Sequence, residues 1–266
     1  MPEQAEQHKY IYCVIDMRDN ESFTPFAAPG DGKAQVQAIR HGDMAAVVAP
    51  SSCGEDSYQI TRETTVGHAK VIEQVMKEHT ALPVRFGTVA KSDDALREQV
   101  LSRRYGELRE LMGQMANKDE MGVKVFWRDM DAVFQEVVAE SAQIRRGRDA
   151  LAPKIPEATY YDRIELGKLV EAALDAKRDQ QGEAIARDLA QAAEDFRVNP
   201  VRTDRMVLNS SYLVHRERMK EFDEMVSDLA ARHEQALKVK YVGPVAPFNF
   251  VTLVITWDEE GQEKIA

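Results

Sequence analysis

The amino-acid sequence predicts an α+β fold: two ferredoxin-like (α/β) domains joined by a helical section. Three observations predict it. Short runs rich in aromatic and β-branched residues mark strands. Apolar residues at alternating three- and four-residue spacings mark helices between them. The order strand–helix–strand occurs near 84–127 and again near 206–257. With 266 residues the chain is long enough for two ordinary domains, placed at 1–128 and 129–266.

The elements follow in order. Tyr10 to Ile15 is aromatic and β-branched and reads as a strand. Asn20 to Gly32 reads as a loop. Met44 to Ala49 is a second strand, stopped by Pro50. Thr64 to His79 is helical, with Ile72, Val75, Met76 and His79 near one face. Leu82-Pro83-Val84-Arg85-Phe86-Gly87-Thr88-Val89 is expected as one strand. In it Val84, Phe86 and Thr88 face one side, and Arg85, Gly87 and Val89 the other. Ser92-Asp93-Asp94 offers a cap for the next helix, whose stripe is Leu101, Tyr105, Leu108, Met112 and Met115. Val123 to Trp127 is a strand. A helix over 129–146 places Val133, Phe134, Val137 and Val138 inward, and Pro153 and Pro156 end the helical run. A long helix over 162–196 is expected to bend near Gly182. Its first stripe is Leu166, Leu169, Val170 and Ala173, its second Ile185, Leu189, Ala192 and Phe196. Met206 to Val214 is a strand. Arg216 to Leu237 is a helix with Met219, Phe222, Val226, Leu229, His233 and Leu237 inward. Strands over 238–242 and 248–257 close the chain.

Composition excludes several function classes. Hydrophobic residues make up 44% and charged residues 30%, which suits a folded soluble protein. There are 35 Lys plus Arg against 45 Asp plus Glu, a net charge of −10. A general nucleic-acid binder needs a basic footprint to displace counterions, so no nucleic acid is expected as partner. No apolar run reaches about 18 residues, so no integral membrane segment is expected. The start of the chain is polar and acidic, unlike a secretory signal. Two cysteines, Cys13 and Cys53, do not make a disulfide scaffold, and the cytoplasm is the expected compartment.

No motif announces catalysis, a metal or a cofactor. The six histidines form no His-Glu-x-x-His and no zinc-type spacing, and read as half-buried or surface residues. His68 and His79 lie three turns apart on one expected helix, about 16 Å, too far to share an ion. Cys53 sits in a loop, but Glu55 and Asp56 follow it and would raise a thiol pKa. Cys13 reads as a small strand hydrophobe. Gly30-Asp31-Gly32-Lys33 lacks the third glycine and the preceding strand of a phosphate cradle. The acid pairs Asp93-Asp94 and Glu259-Glu260 read as solvated caps or tails. The basic run Arg145-Arg146-Gly147-Arg148 reads as a helix end, where cations are favoured. The methionines Met112, Met115 and Met219 read as core.

Arg85 is the sharpest single residue, and two readings of it stand. One is a charged contact for a partner. The other is an arginine lying along a sheet face or paired with an acid such as Glu165.

Three segments resemble the gas-vesicle accessory proteins F and L (the GvpF/GvpL family). They are Leu82 to Val89; Tyr160-Tyr161-Asp162-Arg163-Ile164-Glu165-Leu166-Gly167-Lys168-Leu169-Val170; and Gly243-Pro244-Val245-Ala246-Pro247-Phe248-Asn249-Phe250-Val251. They lie in the family's order and span nearly the whole chain. The third departs from the family pattern at Val245, where Trp is usual, and at Ala246, where Pro is usual. The resemblance implies two domains, the first a modified ferredoxin-like fold. It implies a non-enzymatic role without cofactors in building gas vesicles, the protein-walled buoyancy compartments of some prokaryotes. The implied partners are the small hydrophobic shell protein and other gas-vesicle accessory proteins. Arg85, Phe86, Asp162, Arg163, Glu165, Pro244 and Phe248 are the motif residues taken as candidate contacts. An open sheet edge would be one route for binding. The alternatives are an α+β protein with a small-molecule pocket between domains, and a minor constituent of the vesicle wall.

Overall fold

The computed structural model describes residues 8–18, 21–28, 34–51, 59–153 and 159–257. It is an α+β protein that divides into two compact units, Met1–Glu120 with Pro244–Ala266, and Met121–Gly243. The expected division at 128/129 left the C-terminal end with the second domain. The structure groups it with the first, because Ala246, Val251, Leu253 and Ile255 are buried and Ala246 sits in the first unit's core.

The first unit is built on β1 (Lys9–Asp16), whose aromatic and β-branched residues are buried almost throughout. β2 (Phe26–Ala27) pairs with β3 (Gln35–His41), and β3 forms an antiparallel hairpin with β4 (Met44–Pro50). Gly42 turns that hairpin at φ +60°, a conformation open to glycine at little steric cost. β3 is absent from the sequence reading, since its polar residues hide its two buried positions, Val36 and Ile39. α1 (Arg62–Val75) opens with a capping box: Thr64 N–H donates to Thr61 Oγ1 at 3.2 Å, and Thr61 N–H to Thr64 Oγ1 at 3.0 Å. β5 (Ala81–Pro83) and β6 (Val89–Ala90) both pair antiparallel with β1. The sheet order is β2-β3-β4-β1-β5. α2 (Asp93–Ala95) begins at Ser92, whose Oγ accepts from Ala95 N–H at 3.1 Å, as the sequence predicts. It passes into a π-helical run, Leu96–Ser102, and then α3 (Tyr105–Met115). Leu101, Leu108, Met112 and Met115 are buried as expected.

The second unit begins in β7 (Lys118–Trp127). Its alternation is clear: Met121, Val123, Val125 and Trp127 enter the core, and Gly122, Lys124 and Phe126 do not. The expected helix over 129–146 is two helices, α4 (Met130–Glu140) and α5 (Ala142–Leu151). Ser141 breaks them and caps the second, its Oγ accepting from Ile144 N–H at 3.3 Å. Of the basic run 145–148, Arg148 therefore stands in the last turn of α5, as expected of a helix end, and Arg145 and Arg146 lie earlier in the helix. α6 (Tyr160–Ala190) is a continuous helix of 31 residues, about 46 Å long. The helix runs unbroken through Gly182, where a bend is expected. A Cβ at that position would stand 2.7 Å from the Val207 carbonyl oxygen, so the glycine serves close packing on the sheet. The helix stops before Phe196, which lies in β8 (Asp195–Val198). β9 (Met206–His215) follows. A 3₁₀ turn, Arg216–Arg218, leads into α7 (Met219–Arg232), and β10 (Leu237–Val245) ends the unit. The sheet order is β10-β7-β9-β8.

Counted within each unit, the main strands share one order. With β1, β3, β4 and β5 as first to fourth, the first sheet runs 2-3-1-4, and β7, β8, β9 and β10 give the same order in the second. Each unit has a helix between its third and fourth strands, α1 and α7. The expected final strand over 248–257 is not formed. Residues 248–250 turn, and Leu253 alone makes a bridge, parallel to Val84.

Candidate functional site

Two of the three motif segments meet in the first unit, around His68. This histidine is spaced along α1 with Val71, Ile72 and Val75, the buried face of the helix. It is 5% exposed, which corrects the expectation of a surface or half-buried residue. Its Nδ1 lies 2.8 Å from the Tyr10 hydroxyl. The Phe86 ring stands edge-on at 5.6 Å, and the Phe248 ring is tilted at 6.3 Å. Tyr10 and Tyr12 complete the cluster, at 5.7 and 5.6 Å from the imidazole. Burial pushes the His68 pKa down to about 4, opposed by the backbone of Val84. A neutral imidazole among four aromatic rings is a packing element that also holds a proton acceptor in an apolar core.

The strand expected over 82–89 is interrupted where the motif is most distinctive. Cys13 pairs with Pro83 and Tyr10 with Val89, so β1 spends two residues where the partner spends five. The excess forms a turn at Arg85-Phe86-Gly87. Gly87 takes φ +88°, and its N–H donates to the Tyr10 hydroxyl at 3.3 Å. Thr88 closes the turn, donating from N–H and Oγ1 to the Arg85 carbonyl at 3.3 and 2.7 Å. The turn sends Phe86 inward against the core and Arg85 out to solvent. Arg85 thus does not lie on a sheet face, and Glu165 is paired with Lys168 at 2.8 Å instead.

The C-terminal segment covers the outer edge of this region. Arg85 N–H donates to the Leu253 carbonyl at 3.0 Å, and Leu253 N–H donates to the Pro83 carbonyl at 2.8 Å. Glu120, 3% exposed, accepts from Asn249 N–H at 2.9 Å and from its Nδ2 at 2.5 Å. The Glu120–Asn249 anchor is absent from the sequence reading, since nothing local marks a carboxylate and an amide far apart in sequence as partners. Phe248 is 37% exposed, and Pro244 is exposed near the end of β10. Cys13 is fully buried in β1, and burial pushes its thiol pKa far up, which suits the expected packing role. Cys53, Gly30 to Lys33 and Glu259-Glu260 lie outside the described residues.

The second motif opens α6 in the second unit. Arg163 Nε donates to the hydroxyl of Thr159, the residue before the helix, at 3.0 Å. Asp162 occupies the first turn, where the helix dipole favours an acid. Asp162, Arg163 and Glu165 are all exposed. Between them the helix leaves large apolar groups in water: Tyr160 is 62% exposed, Tyr161 80% and Ile164 39%. Leu169, from the stripe expected to be buried, is exposed too, and Phe134 of α4 points outward against expectation. Helices α4 and α6 enclose a groove of about 660 Å³, lined by Met130, Phe134, Val170 and Leu174 with Glu171 and Arg178. Lys177 pins α6 to α4 through Glu136 and Glu140 at 3.1 and 3.0 Å. Burial opposes its charge, but the two carboxylates outweigh that and hold its pKa above the ordinary lysine value.

The family model described as gas vesicle synthesis protein GvpL/GvpF matches residues 8–252. Gas vesicle protein F of Streptomyces sp. (strain CB03234) is 30% identical over 243 residues, covering 91% of this chain and 98% of that relative. Gas vesicle protein F of Dolichospermum flosaquae is 27% identical over 205 residues, covering 76% of this chain and 82% of that relative. The crystal structure of GvpF from Anabaena sp. PCC7120 superposes with a TM-score of 0.79 at 23% identity, covering 92% of this chain and 98% of that one; this likeness shows the fold. No helix among the described residues is long and apolar enough to cross a membrane. By the span of the family match, the chain belongs to the gas vesicle synthesis protein GvpL/GvpF family.

Proposed function

We propose that this protein is a non-enzymatic assembly factor that binds the hydrophobic gas-vesicle shell protein and assists its entry into the growing wall. The observation that carries the reading is the exposed apolar face of α6. Tyr160, Tyr161 and Ile164 lie within about one helical turn, on a motif segment of the family. Contiguous exposed apolar surface rimmed by charge marks a protein contact, and aromatic residues with arginine are the side chains enriched there. Asp162, Arg163 and Glu165 supply the rim. A shell protein that exposes apolar surface before assembly aggregates in water, and transient cover by this face prevents that. The net charge of −10 keeps the complex soluble. Other gas-vesicle accessory proteins are further partners, and the site of action is the cytoplasm and the vesicle surface. In the same reading both units are ferredoxin-like, the first lacking a helix between its first two main strands among the described residues. The shared strand order 2-3-1-4 supports this.

The test is a pull-down of freshly translated shell protein by the purified chain. Saturable binding that keeps the shell protein soluble is expected. The triple variant Tyr160→Ser, Tyr161→Ser, Ile164→Ser is expected to weaken it about tenfold or more while circular dichroism is unchanged. Equal binding by the folded variant would rule out this face, and no binding by the folded wild type would rule out the shell-protein role.

A further inference from the structure

The second unit carries a cationic pocket that the apolar face of α6 does not explain. β7, β10 and the loop before β9 converge on a cavity of about 470 Å³, lined by Phe126, Trp127, Arg128, Arg205, Lys238 and Lys240 together with Thr203. Among the described residues no carboxylate lines it; Asp204 lines the α4–α6 groove instead. Among the described residues none of the four cations forms an ion pair. Elsewhere in this chain, which has ten more acids than bases, Lys177, Arg178, Arg187 and Arg218 have carboxylate partners.

The two arginines are held by the backbone rather than by acids. Arg128 Nε donates to the Leu237 carbonyl at 3.0 Å. Arg205 donates from its guanidinium to the carbonyls of Trp127 and Arg128, the former at 3.3 Å. Each fork is oriented without being neutralised. Lys240 Nζ lies 5.2 Å from the centre of the Phe126 ring, which fixes a third positive charge. Lys238 and Lys240 are exposed, whereas Val239 and Tyr241 pack on the core, so the two lysines share one sheet face about 7 Å apart. β10 is also an edge strand of its sheet. An edge offers unpaired ladder groups, and lysines on it keep uncharged strands away.

We propose that this corner binds an extended acidic segment of a partner polypeptide, with carboxylates at alternate positions, laid along the free edge of β10. The repeat of such a segment equals that of Lys238 and Lys240, because alternate residues of any strand share a face. Opposite charges across neighbouring strands stabilise the pairing, and the arginine forks suit a further carboxylate. A free phosphate is better served by converging backbone N–H groups than by cations spread along two strands. The proposal stands apart from shell-protein capture, since it concerns other residues and the opposite surface chemistry.

The experiment is fluorescence anisotropy of a labelled peptide of alternating Glu and Thr, with the full chain. Saturable binding is expected, falling as salt rises from about 50 to about 500 mM. The double charge reversal Lys238→Glu, Lys240→Glu is expected to weaken it about tenfold or more, and Lys238→Gln, Lys240→Gln to weaken it less. If the reversal disturbs folding, the neutral pair decides. A peptide of the same composition with its acids contiguous is expected to bind more weakly. Absence of binding by the folded chain overturns the proposal, as does binding indifferent to both lysine variants or equal binding of the contiguous peptide. Binding of inorganic phosphate at the same lysines without binding of the peptide replaces it with a small-anion site. Shell-protein capture measured on the same variants separates the two readings: the proposal survives if only capture fails, and capture survives if only peptide binding fails.

Discussion

His68 joins two motif segments through ring contacts, and its burial has a consequence in pH. Folding holds its pKa near 4, below the ordinary value of 6.5. As pH falls, the unfolded chain takes up the proton first. The stability tied to the neutral imidazole is therefore complete above about pH 6.5 and is lost progressively down to about pH 4. A shift of that size corresponds to about 3 kcal/mol. Urea unfolding of wild type and of His68→Phe at pH 7 and pH 4.5 checks it, and the variant is expected to lose less stability on acidification. Parallel losses would remove His68 as the cause. The histidine's burial was not read from the sequence, although it is spaced with Val71, Ile72 and Val75 on one face of α1. Nor were its ring partners, because Phe86 and Phe248 come from segments far apart in the chain.

At the scale of elements, α6 shows how one helix serves two environments. Its second half buries Gly182, Ile185, Ala186 and Leu189, while its first half leaves Tyr160, Tyr161, Ile164 and Leu169 in water. Helical periodicity reveals a stripe but not what covers it, so the first stripe read as buried. Gly182 is where α6 meets the backbone of β9. Gly182→Ala is expected to cost about 1–3 kcal/mol, since a carbonyl at 2.7 Å cannot rotate aside as a flexible side chain would. Chemical denaturation measures this, and an unchanged midpoint would mean that α6 shifts freely over the sheet. The broken strand at Arg85 has a comparable cause. Five residues span what two span on β1, and the surplus must leave the ladder.

For the whole molecule, the decisive feature is that the chain's end belongs to its beginning. Ala246, Val251, Leu253 and Ile255 are buried, and the segment is tied down by Glu120, Pro83 and Arg85. Deleting residues 246–266 keeps β10 whole but strips these side chains from the first unit. Each buried aliphatic contributes about 1.5–3 kcal/mol, so a loss of several kcal/mol is expected there. Hydrogen exchange should show protection falling in β1, β4 and α1 far more than in β7 and β9. An even loss across both units would contradict the division of the cores.

The sequence by itself determined the α+β class, the strands around β1, β4, β7 and β9, most helix faces, and the family. These depend on local side-chain periodicity and on contiguous motifs, which the linear chain carries openly. Tertiary structure decided what depends on distant partners. It made 248–257 an edge segment rather than a strand, turned Phe86 inward and Arg85 outward, and left the first half of α6 and Phe134 in water. It also gathered Arg128, Arg205, Lys238 and Lys240 into one pocket. Burial and charge clustering are properties of what surrounds a residue, and the surroundings exist only once the chain has folded.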